Sequence, residues 1–320
     1  MRSRFFVVTG AIVGLYLILE MLRRTGIISL YWAQIMDLSL IITISAVGLS
    51  LIYGFTGQFS LGHAAFYGIG AYTAGFVSKS LGGGAGVAGF ALALLAGAAA
   101  AGLVAFLIGL PILRLRSDYL GIATLGFGVI IRVLLDNSHK LSPALGGAKG
   151  MLGVPQLASF VWIFWLAVGA ILLARNLIAS SFGRACISIR EDEVAADLMG
   201  VNTTALKTLA FVIGGALAGL AGALYAHRYP FLHPSTFDYL KSLDVLLVVV
   251  LGGLGSLTGT VVTAVGWVFL LEWLRAILPA EYLDLRGVVY ALVLIVLMIA
   301  RPQGLLGGQS AKGGKRRAVA

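Results

Sequence analysis

Few side chains in this 320-residue sequence could do chemistry, and most of them stand alone. The four histidines, His63, His139, His227 and His233, are scattered, with no acid–His or Ser–His spacing that would form a catalytic set. Cys186 is the single cysteine, so neither an intrachain disulfide nor a cysteine-based metal cluster is available. No Gly-x-x-x-x-Gly-Lys-[Ser/Thr] sequence occurs, and the nearest Gly-Lys, at 314–315, is followed by Arg316. The sequence therefore gives no support to an enzyme, to ATP hydrolysis by this chain itself, or to a bound cofactor or metal.

Polar groups gather in two places. The first is GLSLIYGFTGQFSLGHAAFYGIGAY at 48–72, where Gln58, Ser60 and His63 stand among Gly54, Gly57 and Gly62. Non-helical backbone at membrane depth is tolerated only inside protein or beside a watery cavity. Transporters use such breaks to present backbone dipoles to a solute. Gly57, Gln58, Ser60 and His63 are thus candidates to line a translocation path. A tight, closely packed helix–turn–helix is the competing reading, and for His63 a hydrogen-bonded structural role competes with a ligand role. A fainter echo, Gly253-x-x-Ser256-Leu257-x-Gly259, resembles Gly57-x-x-Ser60-Leu61-Gly62 and adds Ser256 to the candidates. Internal repeats of this kind are common in transporters.

The second place is SSFGRACISIREDEVAADLMGVNTTALK at 180–207. Four of the chain's 13 acids, Glu191, Asp192, Glu193 and Asp197, fall there within seven residues. Ser188-Ile-Arg-Glu191 fits a capping box, the acids suit a first helical turn, and Gly200 suits a left-handed C-terminal cap. Asn202, Thr203 or Thr204 would cap the next helix. The spacing predicts a helix over 188–200 with about 11 helical residues, roughly 16 Å long and too short to cross a bilayer. Glu193, Ala196 and Gly200 share one face by their three- and four-residue spacing. A small-residue face flanked by charge fits docking into a partner's groove; a solvated connector helix is the alternative.

These sites must be held by membrane helices. Hydrophobic residues make up 59% of the chain and charged residues 11%, against roughly 25% charged in an ordinary soluble protein. Mean hydropathy is +0.99. The 43 glycines fit helices that approach closely where lipid supplies no hydrophobic drive. The expected fold is an all-α, polytopic transmembrane helix bundle of about 8–10 spans with glycine-broken or re-entrant segments. Ten candidate spans are read at 5–22, 35–53, 64–78, 87–111, 119–135, 157–174, 208–226, 243–254, 258–274 and 287–300. The first is not read as a cleavable signal, since no small-x-small site precedes Arg23-Arg24. Lys/Arg placement favours both termini in the cytoplasm, with 13 basic residues on the inner side and 9 on the outer. The net charge of +10 sits at segment ends and in the tail, which fits lipid headgroups and gives no sign of nucleic acid. The expected organisation is a transmembrane domain over 1–307 and a flexible basic cytoplasmic tail over 308–320. A secondary transporter or channel would need intramembrane ionisable groups. Asp37, Asp244 and Glu272 lie near span ends and read as solvated interface charges. His227 and His233 fall with Arg228 in an outer loop that could meet a partner protein.

Several blocks together resemble the permease subunits of bacterial branched-chain amino-acid ABC importers, of the LivM type. They are the 48–72 segment, YLGIATLGFGVIIRVLL at 119–135, GRACISIREDEVAADLMGVN at 183–202, KTLAFVIGGALAGLAGALYAHRYPFLHPSTF at 207–237, VVVLGGLGSLTG at 248–259 and RPQGLLG at 301–307. The resemblance implies a multi-pass protein of the bacterial inner membrane. It implies a complex with a second homologous permease, two cytoplasmic ATP-binding subunits and a periplasmic solute-binding protein. It makes 188–202 the coupling helix, with Arg190, Glu193, Ala196 and Gly200 as ATPase-coupling residues. The family pattern Glu-Ala-Ala-x-x-x-Gly is met here with one residue inserted, as Glu193-Val194-Ala195-Ala196 and then Gly200. Many relatives carry an acid near position 129; here it is Val129, so that acid is not there to pair with Arg132, which reads as a snorkelling side chain. Related permeases move urea, short amides and other amino acids, and those substrates stay open.

Overall fold

A computed structural model describes residues 2–82, 86–115, 118–277, 292, 295, 296, 299 and 304–306. Long apolar runs must satisfy their own backbone in lipid, and the described chain is accordingly almost all helix. In order it forms α1 (Arg2–Arg24), α2 (Leu30–Leu49), α3 (His63–Ser80), α4 (Gly86–Ile112), α5 (Asp118–Asp136) and α6 (Phe160–Ala179). Two short helices follow, α7 (Ser181–Glu191) and α8 (Glu193–Leu198), then α9 (Thr203–Arg228), α10 (Tyr239–Gly252) and α11 (Leu257–Ile277). Six stretches are long and apolar enough to cross a membrane: 30–55, 86–112, 119–136, 160–179, 203–228 and 257–276. The first nine expected spans each coincide with a helix, with ends shifted by a few residues. The tenth, 287–300, and the basic tail, 308–320, lie outside the described residues. The only strands among the described residues are β1 (Met151–Leu152) and β2 (Phe231–Leu232), paired antiparallel with Met151 opposite Leu232.

The hub of the bundle is α9, which packs against α2, α3, α4 and, at its start, α8. Glycine makes this possible. A Cβ placed on Gly222 would overlap the Tyr67 carbonyl of α3, and one on Gly70 would overlap the Gly219 backbone. A Cβ on Gly48 of α2 would lie 2.6 Å from the Gly214 carbonyl oxygen. Without hydrophobic drive between helices in lipid, backbone-to-backbone approach of this kind supplies the dispersion contact that holds them together. Phe66 and Phe211, both fully buried, close the cluster edge-to-face at 5.4 Å.

Gly222→Val should therefore separate α9 from α3, costing about 1–3 kcal/mol by overpacking. We expect a lower melting temperature in detergent and less inserted protein. Gly169→Ala, where a Cβ meets nothing within 4 Å, should change neither; equal behaviour of the two variants would contradict the hub role.

Candidate functional site

The first glycine break begins where α2 widens into a π-helical turn, Ser50–Phe55, and the chain then reverses at Gly57 with φ 76°. A left-handed residue at this point favours glycine, because it has no Cβ to clash. The break is held by hydrogen bonds to four helices, two through side chains and two through backbone carbonyls. Gln58 Nε2 donates to the Lys207 carbonyl of α9 at 3.2 Å. The Leu61 amide donates to Thr124 Oγ1 of α5 at 3.0 Å, and the Ala64 amide to Ser242 Oγ of α10 at 2.8 Å. His63 is fully buried, with Nε2 at 2.9 Å from the Ser45 carbonyl of α2. A carbonyl only accepts, so Nε2 carries the proton in that bond. The structural role expected of this histidine is thus present. Among the described residues Gln58 Oε1, Ser60 Oγ and His63 Nδ1 are buried with no hydrogen-bond partner.

The second break joins α10 to α11 through Gly253 (φ 101°) and Gly255 (φ 82°). Ser256 Oγ accepts from the Gly259 amide at 3.2 Å, a cap at the start of α11. The π-helical turn and the second break meet in space: a Cβ on Gly54 would lie 3.4 Å from the Gly255 nitrogen, and Ser50 and Thr260 pair their hydroxyls at 3.3 Å. The Leu305 amide reaches back to the Leu251 carbonyl at 2.7 Å, and Gly304 packs on Gly253. Beside this junction lies an open cavity of about 980 Å³, bordered by Phe55, Arg175, Ile178, Arg190, Gly255 and Ser256.

The charged segment differs from the expected single helix over 188–200. It is two helices, with Asp192 extended between them (φ −155°) and its carboxylate accepting from the Ala195 amide at 3.0 Å. Ser188 is no cap; its hydroxyl bonds back to the Ala185 carbonyl at 2.8 Å inside α7. The reason is burial. Cys186 and Ile189 face the bundle and hold the chain helical through Ser188, so the cap falls to the next competent residue. Burial also pushes the Cys186 thiol up, which keeps it protonated and unreactive. Gly200 (φ 84°) does end α8, with the Gly200 amide on the Asp197 carbonyl and the Val201 amide on the Ala196 carbonyl, the paired bonds of a Schellman motif. Asn202 caps α9 through the Ala205 amide at 3.0 Å.

The expected docking face is also reoriented. Ala196 is only 5% exposed and turns into the bundle, while Glu193 forms an ion pair with Lys207 of α9. Facing outward are three large apolar side chains, Val194 (59% exposed), Leu198 (82%) and Met199 (85%), beside the exposed Asp192, Ala195 and Asp197. The spacing identified which residues share a face but not which face is inward. Three large apolar residues inside the most charged stretch were the signal available for this surface. Arg190 points the other way, donating from Nη1 to the Gly54 carbonyl at 2.8 Å and from Nε to Glu191 at 3.2 Å.

The opposite end of the bundle carries the charges that were expected in solvent. Asp37 is fully buried, bound by Arg23 at 2.7 and 3.2 Å and by Arg228 at 2.6 Å. Arg23 also lies 4.3 Å above the Phe160 ring. Arg132 does not snorkel; it forms an ion pair with Asp238, which precedes α10. His227 belongs to no loop: it is buried in α9, bonded to the Ala223 carbonyl at 2.8 Å. His233 is the loop residue, accepting from the Ser235 amide at 3.2 Å. Glu272 accepts from the Tyr31 hydroxyl at 2.9 Å. No group of three His, Cys, Asp or Glu side chains able to hold a metal occurs among the described residues. Asp37→Asn leaves two guanidiniums facing each other without their anion, and breaking such a pair costs about 3–5 kcal/mol. A sharply lower melting temperature is expected; an unchanged one would show the triad to be solvated.

No solved structure matched the chain. The family model described as the permease component of branched-chain amino acid transport systems matches residues 31–298. The chain is 35% identical over 310 residues to the high-affinity branched-chain amino acid transport system permease protein LivM of Salmonella typhimurium, covering 85% of this chain and 69% of that protein. The LivM protein of Escherichia coli is 34% identical over the same shares. The LivH permease of Escherichia coli is 26% identical over 280 residues, covering 82% of this chain and 90% of that protein. A multi-pass membrane protein of helices broken by glycine, the chain belongs to the family of branched-chain amino acid transport system permease components.

Proposed function

We propose that this permease translocates branched-chain or closely related small amino acids across the bacterial inner membrane, driven by separate ATP-binding subunits that dock on α7–α8. The observation that carries the docking is the outward Val194–Leu198–Met199 surface on a helix clamped at both ends by Asp192 and Gly200. Burying each of these side chains against a partner is worth about 1.5–3 kcal/mol. The Glu193–Lys207 pair then carries a push on α8 into α9, the hub of the bundle. Rocking of α9 against α2, α3 and α4 would open the path to one side and then the other.

The remaining partners follow from the same reading: a second related permease, two ATP-binding subunits and a periplasmic solute-binding protein. Similarity to both LivM and LivH of one organism supports the pairing of two homologous permeases. The excess of basic residues on the α7–α8 side supports placing that side, with both termini, in the cytoplasm. Within the bundle, Gly57, Gln58, Ser60 and His63, with Ser256 at the second break, are proposed to border the path. Support comes from the unpartnered Gln58 Oε1, Ser60 Oγ and His63 Nδ1, because a buried polar atom without a partner costs free energy that a passing water or solute recovers. Selectivity between amino acids is assigned mainly to the solute-binding protein.

Two tests follow. Leu198→Asp with Met199→Asp should abolish co-purification of the ATP-binding subunits and cut uptake at least tenfold, at a normal membrane level; full uptake would remove α8 from the docking role. Ser60→Val should remove the unpartnered buried hydroxyl and reduce uptake several-fold while the complex stays assembled. Uptake in vesicles should stop on ATP depletion and persist with a protonophore; the reverse pattern would identify a secondary transporter.

A further inference from the structure

We propose that Arg190 is the positioning residue that joins the α7–α8 unit to both glycine breaks, so that a displacement of α8 resets the two breaks together. The inference rests on the docking role of α8 proposed above and goes beyond it to the step between docking and transport. Arg190 is the last basic residue of α7, two positions before the Asp192 break between the two helices. Its Nη1 donates to the Gly54 carbonyl, an acceptor left over where the chain leaves the helix and the Gln58 amide turns back to Ile52 instead. The opposite edge of the guanidinium engages the Glu191 carboxylate through Nε and Nη2. The planar fork is thus fixed on both edges, which a lysine ammonium would not reproduce.

The glycines around it fit this side chain. A Cβ on Gly57 would sit 3.0 Å from Arg190 Cγ, and a Cβ on Gly255 would sit 2.6 Å from Nη1. Gly57 and Gly255 belong to different breaks, about two hundred residues apart in sequence, and each leaves room for the same arginine. Both also have positive φ, so the turn and the space for Arg190 are met by one residue type. The Glu193–Lys207 pair is a separate tether, to α9 alone. Arg190 is therefore the contact by which the short-helix unit reaches the second break directly.

The test uses the assembled transporter in proteoliposomes, with ATP hydrolysis and uptake measured together. Arg190→Gln should lower the solute moved per ATP hydrolysed at least tenfold. Arg190→Lys restores a donor to the Gly54 carbonyl and should recover part of the uptake. Spin labels at Asp197→Cys and Thr258→Cys, each measured against a fixed site on the second permease, should shift on ATP addition. With Arg190→Gln, only the α8 label should shift. If Arg190→Gln accumulates poorly, Glu191→Ala releases one edge of the guanidinium from an exposed position and should lower uptake about threefold. Unchanged uptake per ATP in these variants, or both labels still shifting, would overturn the joint. Loss of the ATP-binding subunits would do so too, by making Arg190 a docking residue. The docking reading fails separately, if the Leu198–Met199 variant keeps its ATP-binding subunits.

Discussion

The closeness of α9 to its neighbours is the constraint on which the rest of the molecule depends. In water a helix interface is driven together by expelled solvent; in lipid that drive is absent, and contact must come from shape. Gly214, Gly219 and Gly222 remove the side chains that would hold the backbones apart. The resulting rod of 26 residues is roughly 39 Å long at 1.5 Å per residue. It carries Lys207 near one end and Arg228 at the other. Lys207 meets the short-helix unit through Glu193 and the first break through Gln58. Arg228 meets the buried Asp37. Small residues in the middle thus fix the distance between two charged ends.

Those ends are built differently. At the α7–α8 end the contacts are single and directional, the Gly54 carbonyl for Arg190 and the Lys207 carbonyl for Gln58. Such bonds can be exchanged at modest cost when the backbone turns. At the other end Asp37 is engaged by two guanidiniums with no solvent exposure of its own side chain. Separating those charges would leave an uncompensated ion in a poorly solvated site. The asymmetry places the adjustable contacts beside the proposed docking surface and the resistant ones away from it.

Much of this was legible in the sequence, for reasons that follow from range. The spans are written in apolar runs, and the breaks in glycines mixed with Gln58, Ser60 and His63. The end of α8 is written in Gly200 and the cap of α9 in Asn202. These are local signals, complete within a few residues. The helix boundary at Asp192 was not legible, because Ser188 and Asp192 are both competent caps and burial of Cys186 and Ile189 decided between them. The inward turn of Ala196 was not legible, because spacing defines a face without saying what covers it. The Asp37–Arg228 and Arg132–Asp238 pairs join residues 191 and 106 positions apart. No spacing rule reaches that far, so Asp37 read as a solvated interface charge and Arg132 as a snorkelling side chain.

The length of α10 has a consequence of its own. Its 14 residues span roughly 21 Å, short of the ~30 Å hydrocarbon core. The backbone at its end, Gly252 and Gly253, is buried in protein, where a helix terminus has little water to take up its last carbonyls. The Leu305 amide, more than fifty residues downstream, supplies one of the missing donors at the Leu251 carbonyl. A nascent chain emerging from the ribosome has its α10 terminus in place long before that donor exists. Closure of the second break is thus set late in biosynthesis: the segment that forms the break waits, exposed, for one that has not yet been translated.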